Sequence, residues 1–158
     1  MKKVFILLPV FIFFIGLLAG IFINPNNLVF QTSNTKMFST SELFFHNMSA
    51  IICNASGILT FGISTSINIF ITAFILGIYI NEALKAGYSL SFILSHTLPH
   101  FTEYIAIFIS GYIGFSGYSL LFSHNFSKAY LIKQGKLFLL TIPLILFAAF
   151  MEVNYATK

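Results

Sequence analysis

Two histidines and a carboxylate lie close together in the segment Ser95-His96-Thr97-Leu98-Pro99-His100-Phe101-Thr102-Glu103. On a continuous helix His96, His100 and Glu103 would stand at i, i+4 and i+7, on one face. Two imidazoles and a carboxylate at that spacing could ligate zinc, with His46 or Glu152 completing the site. The same groups could instead handle a proton, receive a polar substrate, or simply hydrogen-bond between helices. Pro99 works against the metal geometry, because it interrupts the helix between the two imidazoles. A helix start, with polar side chains meeting its free N–H groups, also accounts for the segment. No cofactor is therefore expected, and zinc at His96, His100 and Glu103 is the metal alternative.

The elements that must position these groups follow from composition. Of 158 residues, 58% are hydrophobic and 8% charged, and mean hydropathy is +0.93. A soluble domain carries roughly 25% charged residues. So little charge leaves too little polar surface for a water-facing chain, and an all-α integral membrane protein is expected. The formal charge is +4, but all the basic residues are lysines scattered along apolar sequence. They form no basic face for nucleic acid. Cys53 is alone, which excludes an internal disulfide.

Apolar runs divide residues 1–158 into one polytopic domain of about five spans, 4–23, 43–64, 67–84, 100–122 and 137–155. The first run is longer than a signal-peptide core and no small-x-small site follows it, so it reads as an uncleaved span. A turn is expected at Ser64-Thr65-Ser66, with polar loops over residues 24–42, 81–88 and 123–136. Residues 89–98 are apolar but too short to cross, and fit an interfacial or re-entrant helix before the fourth span. Pro143 is expected near the first turns of the fifth.

With the N-terminus in the cytoplasm, Lys2, Lys3, Lys128, Lys133 and Lys136 fall inside, and Lys36, Lys85 and Lys158 outside. The expected location is the cell membrane, multi-pass, in that orientation. The intramembrane polar residues then share a depth. His46, Asn47, Asn54, His96, His100, Glu103 and Glu152 collect in the outer half, where ionisable groups commonly mark a substrate, proton or partner site.

Small residues recur at helical spacing: Gly16 and Gly20; Asn47, Ala50, Asn54 and Gly57; Ala73, Gly77 and Asn81; Ala106, Ser110, Gly114 and Gly117; Thr141, Ala148 and Glu152. Such stripes let backbones approach closely, and those of spans two to five are expected to face one another. Gly62 and Gly111 join the packing positions.

Four blocks carry a family resemblance: Phe45-His46-Asn47, Gly57-Ile58-Leu59-Thr60-Phe61-Gly62, Leu98-Pro99-His100 to Glu103, and Ala148-Ala149-Phe150-Met151-Glu152. In order and spacing they resemble the stage II sporulation protein M family, from about Leu43 to Glu152. Two positions depart from its pattern: Phe101 stands where a glycine follows the histidine, and Glu103 comes three residues after His100 where four is usual. The resemblance implies a polytopic membrane protein without established enzymatic activity, working with partners in peptidoglycan remodelling or beside export and immunity genes for circular bacteriocins. The short form here is more similar to the latter group.

The expectation is a non-enzymatic membrane subunit of a multi-component complex for bacteriocin-type export and immunity or envelope remodelling. Its partners would be other membrane proteins, such as an ABC transporter or further copies of itself, together with lipids. The alternative is an intramembrane enzyme or transporter that uses the polar cluster on a lipid-like or peptide substrate, with or without a bound metal.

Overall fold

A computed structural model describes residues 2–23, 39–123 and 127–156. Its order is α1 (Lys2–Phe22), α2 (Thr40–Ala55), a 3-10 turn (Ser56–Ile58), α3 (Ile63–Lys85), α4 (Leu90–Thr97), a second 3-10 turn (Leu98–His100), α5 (Phe101–Ser123) and α6 (Lys128–Ala156). Among the described residues there are six α-helices and no strand. Three helices among the described residues, α1, α3 and α6, are long and apolar enough to cross a membrane, against the five spans expected. Of the others, α2 has only 16 residues. Another, α5, is 23 residues long and carries Tyr104, Tyr112, Tyr118, Gly111, Gly114 and Gly117 among its apolar residues.

α5 is the central helix of the bundle. It packs against α1, α2, α3 and α6 together, so most of its surface meets protein. Ala106, Ser110, Gly111, Gly114 and Gly117 are all buried. The outer helices instead turn apolar side chains outward. Leu7, Phe11, Phe14 and Leu18 of α1, and Leu139, Leu146, Phe147 and Phe150 of α6, are each more than half exposed. Contiguous apolar surface of this kind suits hydrocarbon, not water.

Residue pairings give the directions. Gly16 meets Ala73, and Gly20 meets Gly77, while Asn81 Nδ2 donates to the carbonyl of Ile23 at 2.9 Å; α1 and α3 therefore run parallel. A methyl on Gly77 would lie 2.9 Å from Gly20 Cα, so the two backbones touch. The α3 stripe is thus filled by α1, and does not face the other stripes as expected. Those of α2 and α5 do meet, also in parallel. Asn54 Nδ2 donates to Ser110 Oγ at 3.2 Å, and a methyl on Gly57 would lie 3.0 Å from Gly114 Cα.

The second span ends earlier than its apolar pattern suggests. α2 stops at Ala55, and the chain reverses through Phe61 (φ 54°) and Gly62 (φ 89°), a backbone conformation that glycine tolerates without steric cost. Ser64-Thr65-Ser66, expected to form the turn, instead belongs to α3. Its hydroxyls are satisfied within the helical hairpin: Ser66 Oγ donates to Gly62 O at 2.8 Å and Thr65 Oγ1 to Asn54 O at 2.7 Å. Ser66 bonds back by four residues, as serine in a helix can, while Thr65 reaches across to the end of α2.

α6 corrects a second boundary. Lys128, Lys133 and Lys136, placed in a loop by their charge, lie in its first turns, since lysine is a good helix former and Ser127 Oγ accepts from Tyr130 N–H at 3.2 Å. Pro143 consequently lies in the middle of a 29-residue helix, well past its first turns. Asn81 to Lys85, read as loop, complete α3. The short α4 occupies the segment expected to be interfacial or re-entrant, and Ser89 Oγ caps it by accepting from Phe92 N–H at 3.3 Å. Lys36, Lys158 and most of the loop 24–42 lie outside the described residues.

Candidate functional site

His100 and Glu103 are positioned by the junction at the head of α5. The 3-10 turn Leu98–His100 delivers His100 one turn before Glu103, and Nδ1 of His100 lies 3.1 Å from Glu103 Oε2. Glu152, near the far end of α6, brings its Oε2 to 3.8 Å from the same nitrogen. The antiparallel pairing of α5 and α6 makes this possible. At the opposite end of the pair, Tyr130 Oη donates to Ser116 Oγ at 2.6 Å, which pins the register. Ligand-type atoms of His100, Glu103 and Glu152 all lie within 4.8 Å of one another.

These groups open onto a cavity of about 600 Å³ at one end of the bundle. Its walls are Glu42, His46 and Asn47 of α2, Thr72 and Tyr79 of α3, Tyr104 of α5, and His100, Glu103 and Glu152, with Leu43, Ile75 and Leu76 between them. Glu42 also closes the capping box of α2, accepting from the Ser39 N–H at 2.8 Å. Tyr104 stands edge-on to Phe13 of α1 at 5.5 Å, so that wall is held by the core. Side-chain exposure is 32% for His100, 31% for Glu152 and 17% for Glu103. The carboxylates are thus partly withdrawn yet reachable.

The seven polar residues singled out from sequence separate into three groups. His46, Asn47, His100, Glu103 and Glu152 share the cavity. Asn54 lies deeper, 0% exposed, in a closed network. It accepts from Asn68 Nδ2 at 2.8 Å and donates to Ser110, while Asn68 also reaches Ala50 O at 3.3 Å. His96 lies elsewhere. It is exposed on α4, its ring tilted 36° against that of Phe92 with centroids 4.1 Å apart, and its Nδ1 lies 3.0 Å from the Phe92 carbonyl. The 3-10 turn at Pro99 breaks the continuous helix that would have aligned His96 with His100 and Glu103.

The seven packing glycines are all buried. Besides the Gly16–Gly20–Gly77 seam, Gly57 and Gly114 enclose the Thr65 hydroxyl, Gly62 gives room to the Phe115 ring, and Gly111 to the ring of Pro9 and the tip of Ile69. Thr72, Tyr79 and Tyr104 escaped the sequence reading. For Tyr104 a signal existed, since it follows His100 by four residues and so shares its helical face. Thr72 and Tyr79 carry none, because their place depends on how α3 packs.

Chemically, three acceptor atoms converge where two carboxylates approach within the reach of one small ion. A proton on Nδ1 can answer one carboxylate well, and the second only at 3.8 Å. Two carboxylates this close, within 4.8 Å of the same imidazole nitrogen and of one another, repel, and a cation or a shared proton between them would relieve the repulsion.

The comparisons with known proteins agree over nearly the whole chain. A family model described as Stage II sporulation protein M matches residues 9–157. An uncharacterised protein of Methanocaldococcus jannaschii is 31% identical, over 99% of this chain and 96% of its own length. No solved structure matches.

Proposed function

This chain belongs to the stage II sporulation protein M family, and we propose that it serves as a multi-pass membrane subunit that works by binding. Three apolar helices and that membership mark it as a membrane protein. In our reading α2 and α5 cross as well, giving five traverses in alternating directions with the N-terminus in the cytoplasm. The lysine distribution supports that orientation. The subunit then assembles with other membrane proteins in a complex of the export, immunity or envelope-remodelling kind, and the polar cavity is the place where it receives a ligand or partner segment.

One observation carries the reading: the cavity gathers histidine, carboxylate, amide and phenol groups from four different helices. Ionisable groups cost several kcal/mol at bilayer depth, and helix packing alone would not need them to share one open volume. Affinity purification from native membranes in gentle detergent tests the assembly. Recovery of stoichiometric membrane partners is expected, with a photo-crosslinker at Thr72 labelling one of them. Repeated isolation of this chain by itself would overturn the reading.

A second reading rests on the His100–Glu103 contact. A carboxylate-oriented imidazole beside a cavity has the form of a general base for a lipid-like or peptide substrate. It requires that His100→Asn abolish turnover while assembly persists.

A further inference from the structure

We propose that His100, Glu103 and Glu152 hold one divalent transition-metal ion, with zinc the best fit. The inference rests on the cavity being a working binding site, and it names what that site holds.

Geometry is the first support. Tetrahedral zinc with donors at about 2.0–2.1 Å has ligand atoms spaced at about 3.3 Å. The measured separations of His100 Nδ1 from the two carboxylate oxygens, 3.1 and 3.8 Å, bracket that spacing. All three donor atoms lie within 4.8 Å of one another, so rotating the carboxylates inward by about 1 Å brings them to the zinc spacing. The donors come from two elements, the α5 head and the end of α6, so the ion would clamp the pair. His46, on the α2 wall of the same cavity, is a further ligand of suitable type, and otherwise the fourth position is open to water or ligand.

Charge balance is the second support, and it is independent of distance. Two carboxylates and a neutral imidazole sum to −2. A divalent cation brings the site to zero, which is the state a weakly polar surrounding favours. A proton on the imidazole leaves it at −1, so without a metal a second proton, on one carboxylate, is needed to reach neutrality. The presence of imidazole nitrogen alongside two carboxylates selects against magnesium, which prefers all-oxygen octahedra, and in favour of zinc.

The experiment uses the full chain purified with a tag that binds no metal, stripped with chelator, then titrated with zinc chloride. Bound metal is read by elemental analysis and thermal unfolding. One zinc per chain and a raised Tm are expected. Glu152→Gln and His100→Asn should each weaken zinc binding at least about tenfold, and His96→Asn should leave it unchanged. Circular dichroism and monodispersity control for folding of the variants. Cobalt replacing zinc in the wild-type chain should give the visible d–d bands of a tetrahedral site, a readout that needs no variant. Three results would overturn the proposal: substoichiometric zinc without a Tm shift, magnesium binding as well as zinc, or equal loss in His96→Asn and His100→Asn. A chain that takes up zinc but purifies without partners would leave the metal site standing and remove the assembly reading.

Discussion

Replacing Gly77 with alanine tests the closest helix contact in the bundle. The added methyl would press on the Leu17 carbonyl and lie 2.9 Å from both Gly20 Cα and Ile21 N. Carbon atoms settle at about 3.5–4.0 Å, so α1 and α3 must separate by roughly the difference, close to 1 Å, and the seam around Gly16 and Ala73 opens with them. Overpacking of this kind costs about 1–3 kcal/mol. Alanine in a helix also gains up to about 1 kcal/mol over glycine, which would mask part of the loss. Gly135 supplies the correction, because it lies in α6 with nothing within 4 Å of the added methyl. Gly135→Ala therefore shows the propensity gain alone. The stability difference between the two variants isolates the collision at about 2 kcal/mol, near a thirtyfold change in the folded-to-unfolded ratio. Reversible unfolding in mixed micelles of mild detergent and dodecyl sulfate, followed by far-ultraviolet circular dichroism, measures it. If Gly77→Ala is as stable as Gly135→Ala, α1 and α3 do not pack as described.

The buried amide network and the far end of the bundle yield further predictions. Asn54→Leu should destabilise the fold by about 1–2 kcal/mol, and a double-mutant cycle with Asn68→Leu should show coupling of about 0.6 kcal/mol or more; additive losses would place the two amides apart. Tyr130→Phe removes the donor to Ser116 and should lower stability by about 0.5–1.5 kcal/mol, with faster amide exchange confined to the meeting of α5 with the start of α6. Ser39→Ala breaks the capping box of α2 and should cost about 1 kcal/mol. Its effect should be local to the first turn of α2, as amide exchange would show.

The extent to which the sequence was legible depended on whether a feature is local. The Gly16–Gly20 pair and the α2 and α5 stripes announced close packing because a helix repeats its faces every three or four residues. The pairing of the α3 stripe with α1 could not be read, since periodicity names a face and not its neighbour. Hydropathy likewise found apolar mass but misjudged edges. Ser64-Thr65-Ser66 looked like a turn because serine and threonine are common there, yet their hydroxyls find partners within the α2–α3 hairpin. At the site, the pairing of His100 with Glu103 follows from three-residue spacing. The separation of His96 hinged on Pro99 producing a 3-10 turn, which rotates everything before it. The approach of Glu152, 52 positions along the chain, depends on the register of α5 against α6, and no local pattern encodes it.

Pro143 gives α6 the mechanics of a jointed rod. Proline has no N–H to offer the Leu139 carbonyl, so the helix loses a bond there and bends more easily than elsewhere. Glu152 rides nine residues beyond the joint, about 14 Å along the axis. At that radius a tilt of only about 10° carries the carboxylate roughly 2 Å, comparable to its 3.8 Å distance from His100. A small angular fluctuation at mid-bundle is thereby converted into making or breaking one contact at the cavity, while the half of α6 anchored through Tyr130 stays still.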